Sequence, residues 1–154
     1  EKVMGQFTLS AKFDCSPSVL REYLGVISNI EFITDPDLEI EIIESPILVT
    51  ANAEIAFSLI TGGFRQVLRH RWTTVTDTQI VAEQIMGPTK SWIYDQTISA
   101  SENGCALRET VVFEPPGGML GFVFTEDNIM ESLTSGTALR HKLLAEQLIA
   151  QQSA

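Results

Sequence analysis

SWIYDQTISAS (Ser91–Ser101) and CALRETVVFE (Cys105–Glu114) are two alternating runs joined across Asn103-Gly104 and stopped by Pro115-Pro116-Gly117-Gly118. Asn-Gly between two such runs is a strong hairpin signal. Trp92, Tyr94, Gln96 and Ile98 share one side of the first strand, and Leu107, Glu109, Val111 and Phe113 share one side of the second. The opposite set on the first strand, Ser91, Ile93, Asp95, Thr97 and Ser99, is more polar, so the first set is expected to face inward.

Working outward, the same reading extends to both ends. QFTLSAKF (6–13) alternates, with Phe7, Leu9, Ala11 and Phe13 on one face. Ser16-Pro17 offers a helix cap followed by proline at the first helical position. The pattern predicts a short helix over about 17–27 and a helical turn near 29–33, ended by Pro36. Strands are expected over 38–43, 47–60, 64–75 and 79–86, with turns at Ser45-Pro46, Gly62-Gly63 and Thr76-Asp77-Thr78. Thr125 caps a last helix running to about Gln151, with Ile129, Leu133, Leu143, Leu144 and Leu148 on one broad face. Gly136, Thr137 and Arg140 fall inside that apolar arc. Hairpin connections make the sheet antiparallel, and the long helix is the only element able to cover it. The expected fold is α+β: a curved antiparallel sheet of about six to seven strands wrapped around a long C-terminal helix, with two short helices after the first strand.

Composition narrows the function. A chain of 154 residues is expected to form a single domain over 1–154, its core at 6–151, burying a core without metal or disulfide. With 20 acidic against 10 basic residues the net charge is −10, which argues against a broad basic face for nucleic acid. Cys15 and Cys105 form no metal or thioredoxin-like motif and read as free thiols of a cytoplasmic protein. No apolar run reaches the length of a membrane span, so no integral membrane association is expected. EKVMGQ at the start lacks the apolar core of a signal peptide, and the chain begins at Glu1 without a methionine, as a chain trimmed upstream would. HExxH, GxSxG and GxxxxGK are missing, and GGMLG (117–121) lacks a dinucleotide-binding spacing. No metal and no cofactor are expected. The oligomeric state is left open.

The inward set places a hydroxyl, an amide and a carboxylate among apolar walls, the usual make-up of a small-molecule pocket. An interior cavity is expected between the last helix and the sheet. Its ligand-binding residues are expected to be Trp72, Trp92, Tyr94, Gln96, Ile98, Leu107, Glu109, Val111, Leu133, Gly136 and Arg140. A guanidinium in an apolar arc requires a partner. Glu109 is the candidate, and a carboxylate or phenolate of a ligand is the alternative. His70 shares a face with Leu68 and Trp72; it is either a pocket acid–base group or a satisfied histidine at the sheet surface. Arg65, Arg69 and Arg71 on the other face are expected to pair with surface acids.

With Trp72, Gly87-Pro88, Trp92, Glu109, Pro116-Gly117, Leu120-Gly121 and Arg140 in this order, the chain resembles the START-like superfamily. This superfamily is also called SRPBCC, helix-grip or birch-pollen-allergen-like, and the likeness runs over about Phe7 to Leu148. Within it the chain looks most like a bacterial ligand-binding or polyketide-cyclase-like branch. Thr89 stands where that branch has an aromatic, Tyr94 and Gln96 where it has two histidines, and Glu109 where it has aspartate. The resemblance implies lipid binding, or binding of another hydrophobic or amphipathic small molecule. It also admits an aromatic or polyketide cyclase or dehydratase using Tyr94, Glu109 and His70, and a chaperone-regulating interaction domain. The replaced histidines favour binding without turnover.

Overall fold

Alternation and turn residues dictate most of what the chain does. The structure, a computed structural model, describes residues 4–153. Residues 1–3 and 154, which belong to the single unit expected over 1–154, lie outside that range. Seven strands follow one another: β1 (Gly5–Phe13), β2 (Glu41–Glu44), β3 (Glu54–Thr61), β4 (Phe64–Val75), β5 (Gln79–Met86), β6 (Ser91–Ser101) and β7 (Gly104–Glu114). Helix α1 (Pro17–Gly25) and 3-10 turns at Ile27–Ile33 and Pro36–Leu38 lie between β1 and β2. A further 3-10 turn at Gly118–Phe122 precedes helix α2 (Glu126–Gln152). Every pairing is antiparallel, and the sheet order is β1-β7-β6-β5-β4-β3-β2. The chain thus returns after six strands to pair its last strand with its first.

The caps act as expected from their side chains. Ser16 Oγ accepts from the Val19 amide at 3.3 Å, and Thr125 Oγ1 from the Asn128 amide at 3.1 Å. Each satisfies a donor that the first helical turn would otherwise leave free. Gly62 and Gly63 take φ of 59° and 80° in the β3–β4 turn, a left-handed geometry that glycine adopts without steric cost. The β6–β7 turn sits one residue earlier than expected: Ser101 pairs with Gly104, so the loop is Glu102-Asn103. Gly104 has a different duty, since a Cβ there would lie 2.1 Å from the Phe13 carbonyl oxygen. It lets the end of β1 approach β7.

Two other boundaries differ. The strand expected over 38–43 begins only at Glu41, because Glu39 turns the chain at φ 45°. The strand expected over 47–60 begins at Glu54. Before it, Leu48 bridges back to Val26, and Asn52 takes φ 67°, so this segment ties the sheet edge to α1 instead of extending it.

The core lies in two parts. Leu20, Tyr23, Leu24, Ile27 and Ile33 from α1 and its following turn pack with Trp72, Ile80, Ile98 and Leu107 of the sheet and Leu144 and Leu148 of α2. Val111 and Phe113 pack with Phe124 and Ile129, joined by Trp92, Tyr94, Met130 and Leu133. Fully burying such a side chain contributes roughly 1.5–3 kcal/mol. On the opposite face Arg69 pairs with Glu44 and Glu54, and Arg71 with Glu54. Arg65 bonds the Ser58 hydroxyl and the Glu39 carbonyl. No helix among the described residues is long and apolar enough to cross a membrane.

Candidate functional site: a buried carboxylate between sheet and helix

β7 runs between β1 and β6, so Glu109 has Leu9 on one side and Gln96 on the other. Alternation turns its side chain to the concave face, where it is 1% exposed. An isolated carboxylate there would be very costly. Three donors converge on it. Gln96 Nε2 donates to Oε2 at 3.1 Å, and Arg140 Nε donates to Oε1 at 3.1 Å. His141 Nε2 lies 2.7 Å from Oε1. Burial by itself would raise the Glu109 carboxyl, but the charge of Arg140 and the bond to His141 outweigh it and hold the group below the usual carboxylate range.

The expected meeting of Arg140 with Glu109 across the gap is present. The Arg140 side chain is 24% exposed, so the guanidinium pairs with Glu109 while reaching toward solvent. It stands 5.4 Å from the Tyr94 ring centroid, and Nη2 donates to Thr137 Oγ1 at 3.4 Å. Among the described residues Nη1 has no partner. One turn earlier on the same side of α2, Gly136 is half-buried, and a Cβ there would meet nothing within 4 Å. Leu133, Gly136, Arg140 and Leu143 form a half-buried stripe beside the deeper stripe of Ile129, Thr137, His141, Leu144 and Leu148.

His141 was not anticipated. Its signal lay in the spacing 129–137–141–144–148, which carries the buried stripe through a threonine and a histidine. Polar residue types hid a helical period. The ring is buried and meets Phe13 edge-on, with centroids 6.4 Å apart.

The other expected residues divide. Trp72, Ile98 and Leu107 are consumed by the first apolar core. Val111, with Trp92, Tyr94 and Leu133, packs in the second. The expected enclosed cavity is therefore corrected, because Phe124, Ile129 and Met130 fold in over the ground it required. Two hollows lie instead at the ends of α2. One of about 330 Å³ is lined by Lys90, Glu114, Pro115, Pro116, Gly121, Thr125 and Glu126. The other, of about 90 Å³, includes Phe13, Cys15, Ala145 and Leu148. Yet Trp92, Tyr94 and Gln96, all turned to the concave side, remain half-buried. Solvent therefore reaches part of the sheet beside the helix.

His70 fits neither expectation. It is buried at the concave face, edge-on to Phe57 at 5.1 Å, and its Nε2 has no partner. Burial pushes it down to about 4, so it does not titrate near neutrality. The Tyr23 hydroxyl is likewise buried and unpartnered. Among the described residues no group of His, Cys, Asp and Glu is placed to hold a metal ion.

No family model matches the chain, and no curated protein is similar to it in sequence. Solved structures are similar in shape. Ara h 8.0201 superposes with a TM-score of 0.70 at 13% identity, over 96% of this chain and 99% of that one. Major latex-like protein 151 from Panax ginseng gives 0.65 at 10% identity, over 91% and 97%. The di-domain ARO/CYC protein StfQ from the steffimycin biosynthetic pathway gives 0.74 at 12% identity, over 99% of this chain and 53% of that one, so the chain corresponds to about half of it. At such identities the likeness is one of fold. The antiparallel order of the seven strands, the helix laid along the concave face and these likenesses together give the chain the helix-grip fold.

Proposed function

We propose that the chain binds a hydrophobic or amphipathic small molecule in the cleft beside α2. The apolar body lies along Trp92, Tyr94, Leu133 and the open side of Gly136, and the polar or anionic head meets Arg140. One observation carries this reading: a partly exposed guanidinium is fixed by a buried carboxylate, with Nη1 unengaged at the edge of apolar walls. Holding Arg140 through Nε leaves the outer edge of its fork for a carboxylate, sulfonate or phenolate. Gln96 and His141 secure Glu109, so the anchor is rigid before any ligand arrives.

Binding without turnover is the better-supported reading. Glu109 is held as a carboxylate by three donors, and His70 is held neutral at about 4. A general acid or base works best with a pKa near the working pH, and neither group has one.

The test uses two fluorescent probes, an anilinonaphthalene sulfonate and the neutral N-phenylnaphthylamine. Both should bind the parent protein. Arg140→Met should weaken the sulfonate about tenfold, the equivalent of ~1.4 kcal/mol, and leave the neutral probe unchanged. Gly136→Leu should weaken both. A parent that takes up neither probe, or an Arg140→Met variant that treats both alike, would overturn the reading. Turnover of an aromatic polyketide, lost in both Tyr94→Phe and Glu109→Gln, would replace it with the cyclase.

A further inference from the structure

Cys15 and Cys105 are 90 positions apart in the chain, and their Sγ atoms lie 3.9 Å apart in the core. Cys105 opens β7 opposite Phe13 of β1, and Cys15 lies two residues beyond Phe13, so the chain folds one sulfur back onto the other. Both thiols are free and buried, at 5% exposure for Cys15 and 0% for Cys105. The two do not stand alike toward solvent. Cys15, but not Cys105, lines the hollow of about 90 Å³ under the last turns of α2, with Lys12, Asp14, Ala145 and Gln152. A molecule of a few atoms fits that volume, and a protein or bulky thiol does not.

We propose that this pair is a peroxide-closed disulfide, with Cys15 meeting the oxidant in the hollow and Cys105 closing the bond. In the first step Cys15 gives up its proton and its sulfur attacks one oxygen of hydrogen peroxide. The O–O bond breaks, the departing hydroxide takes a proton and leaves as water, and Cys15 becomes a sulfenic acid. In the second, the Cys105 sulfur attacks the Cys15 sulfur. The S–O bond breaks, and the hydroxide leaves with the Cys105 proton as a second water. Two thiols lose two electrons in all, and one peroxide gains them. The sulfurs must close by about 2 Å to reach bonding distance, a movement within reach of side-chain rotation in a loop beside a hollow. Burial, and then the neighbouring Cys15, hold the Cys105 thiol up at about 12, which leaves the first step to Cys15 and makes closure slow. The bond would join the end of β1 to the start of β7 and constrain the unfolded chain over a long loop, which stabilises the folded form.

The folded full chain is treated with graded hydrogen peroxide, then unfolded in iodoacetamide and weighed intact. The expected product is a monomer lighter by two hydrogens with neither cysteine alkylated. It should yield one linked peptide pair containing Cys15 and Cys105, revert with dithiothreitol and melt several degrees higher. In Cys105→Ser, dimedone should trap a sulfenic acid at Cys15; in Cys15→Ser, Cys105 should stay reduced. Should a serine variant fail to fold, the alanine variant takes its place. The proposal is overturned by oxygen addition without a link, by a link between two chains, or by a folded protein left untouched at a dose that oxidises the unfolded chain.

Discussion

The space under α2 is built in two ways along its length. Toward the C-terminal end Leu144 and Leu148, at 0% and 3% exposure, sink among Leu20, Ile27 and Leu107, and the interior is closed. At mid-helix Arg140 and His141 meet Glu109, Arg140 also donates to Thr137, and the neighbouring turn presents Gly136 to open space. The apolar end needs only matched volume and holds the helix down. The polar middle needs every member partnered, because low dielectric strengthens a satisfied network and penalises a broken one. It leaves one edge of one guanidinium without a partner among the described residues. Apolar packing and a charged network thereby occupy different turns of one helix.

Leu144→Ala should produce the largest loss, about 3–4 kcal/mol, because a wholly buried leucine leaves a cavity. The denaturant midpoint should fall while the affinity of the folded fraction for the sulfonate probe stays the same. Equal damage to probe binding from Leu144→Ala and Arg140→Met would erase the distinction between the two ends.

Arg140→Met should cost about 3 kcal/mol, the lower part of the range for a broken buried pair, since this side chain is 24% exposed. Adding Glu109→Leu should recover much of that loss, yet the double variant should still bind the sulfonate poorly. A double-mutant cycle with no coupling energy would show that the contact carries no stability.

Acid should probe the sheet side of the comparison. His70 stays neutral in the folded chain down to about pH 4, whereas in the unfolded chain it takes up its proton near the ordinary 6.5. The unfolded state therefore binds more protons between these values, and stability falls as the pH drops through that window, by up to about 3 kcal/mol. Glu109 works in the same direction lower down. Its carboxyl is held below the ordinary 4.5, so its contribution is full above that value and is lost as the pH falls through the folded one. His70→Leu should flatten the curve between pH 6.5 and 4 only. An unchanged curve would mean that His70 finds a proton acceptor on acidification.

Gly136 should give the smallest change in stability. Gly136→Ala should raise it by up to about 1 kcal/mol, as helix propensity dictates where nothing is crowded, and Gly136→Leu should fold yet take up less of either probe. Destabilisation by Gly136→Ala would show that the turn is packed, and the cleft would lose its open wall.

The β6–β7 hairpin, both helix caps and the pairing of Arg140 with Glu109 were legible because each rests on a short-range rule. Alternation turns every second side chain inward, a hydroxyl before a helix satisfies its first amides, and a charge in an apolar arc demands its opposite. The missed features have longer causes. His141 belongs to the same stripe as Leu144 and Leu148, but its partner is 32 residues away in the chain. The late start of β3 follows from Leu48 bridging to Val26, a contact between segments that no local pattern joins. The cavity was misjudged because Phe124, which ends the loop before α2, folds inward, and a loop side chain has no period to betray it.

Sequence alone determined the order of strands and helices, the face each strand turns inward and the opposite charges that meet between sheet and helix. These follow from backbone geometry and from the cost of burying a lone charge. Only the tertiary structure decided that Trp72, Ile98 and Leu107 are spent in an apolar core while Trp92, Tyr94 and Gln96 stay half-buried. It alone decided that His70 is buried without a partner, that His141 joins the carboxylate, and that two cysteines 90 positions apart touch. Such outcomes depend on how volumes from distant segments fill one shared space, and no local period records that sum.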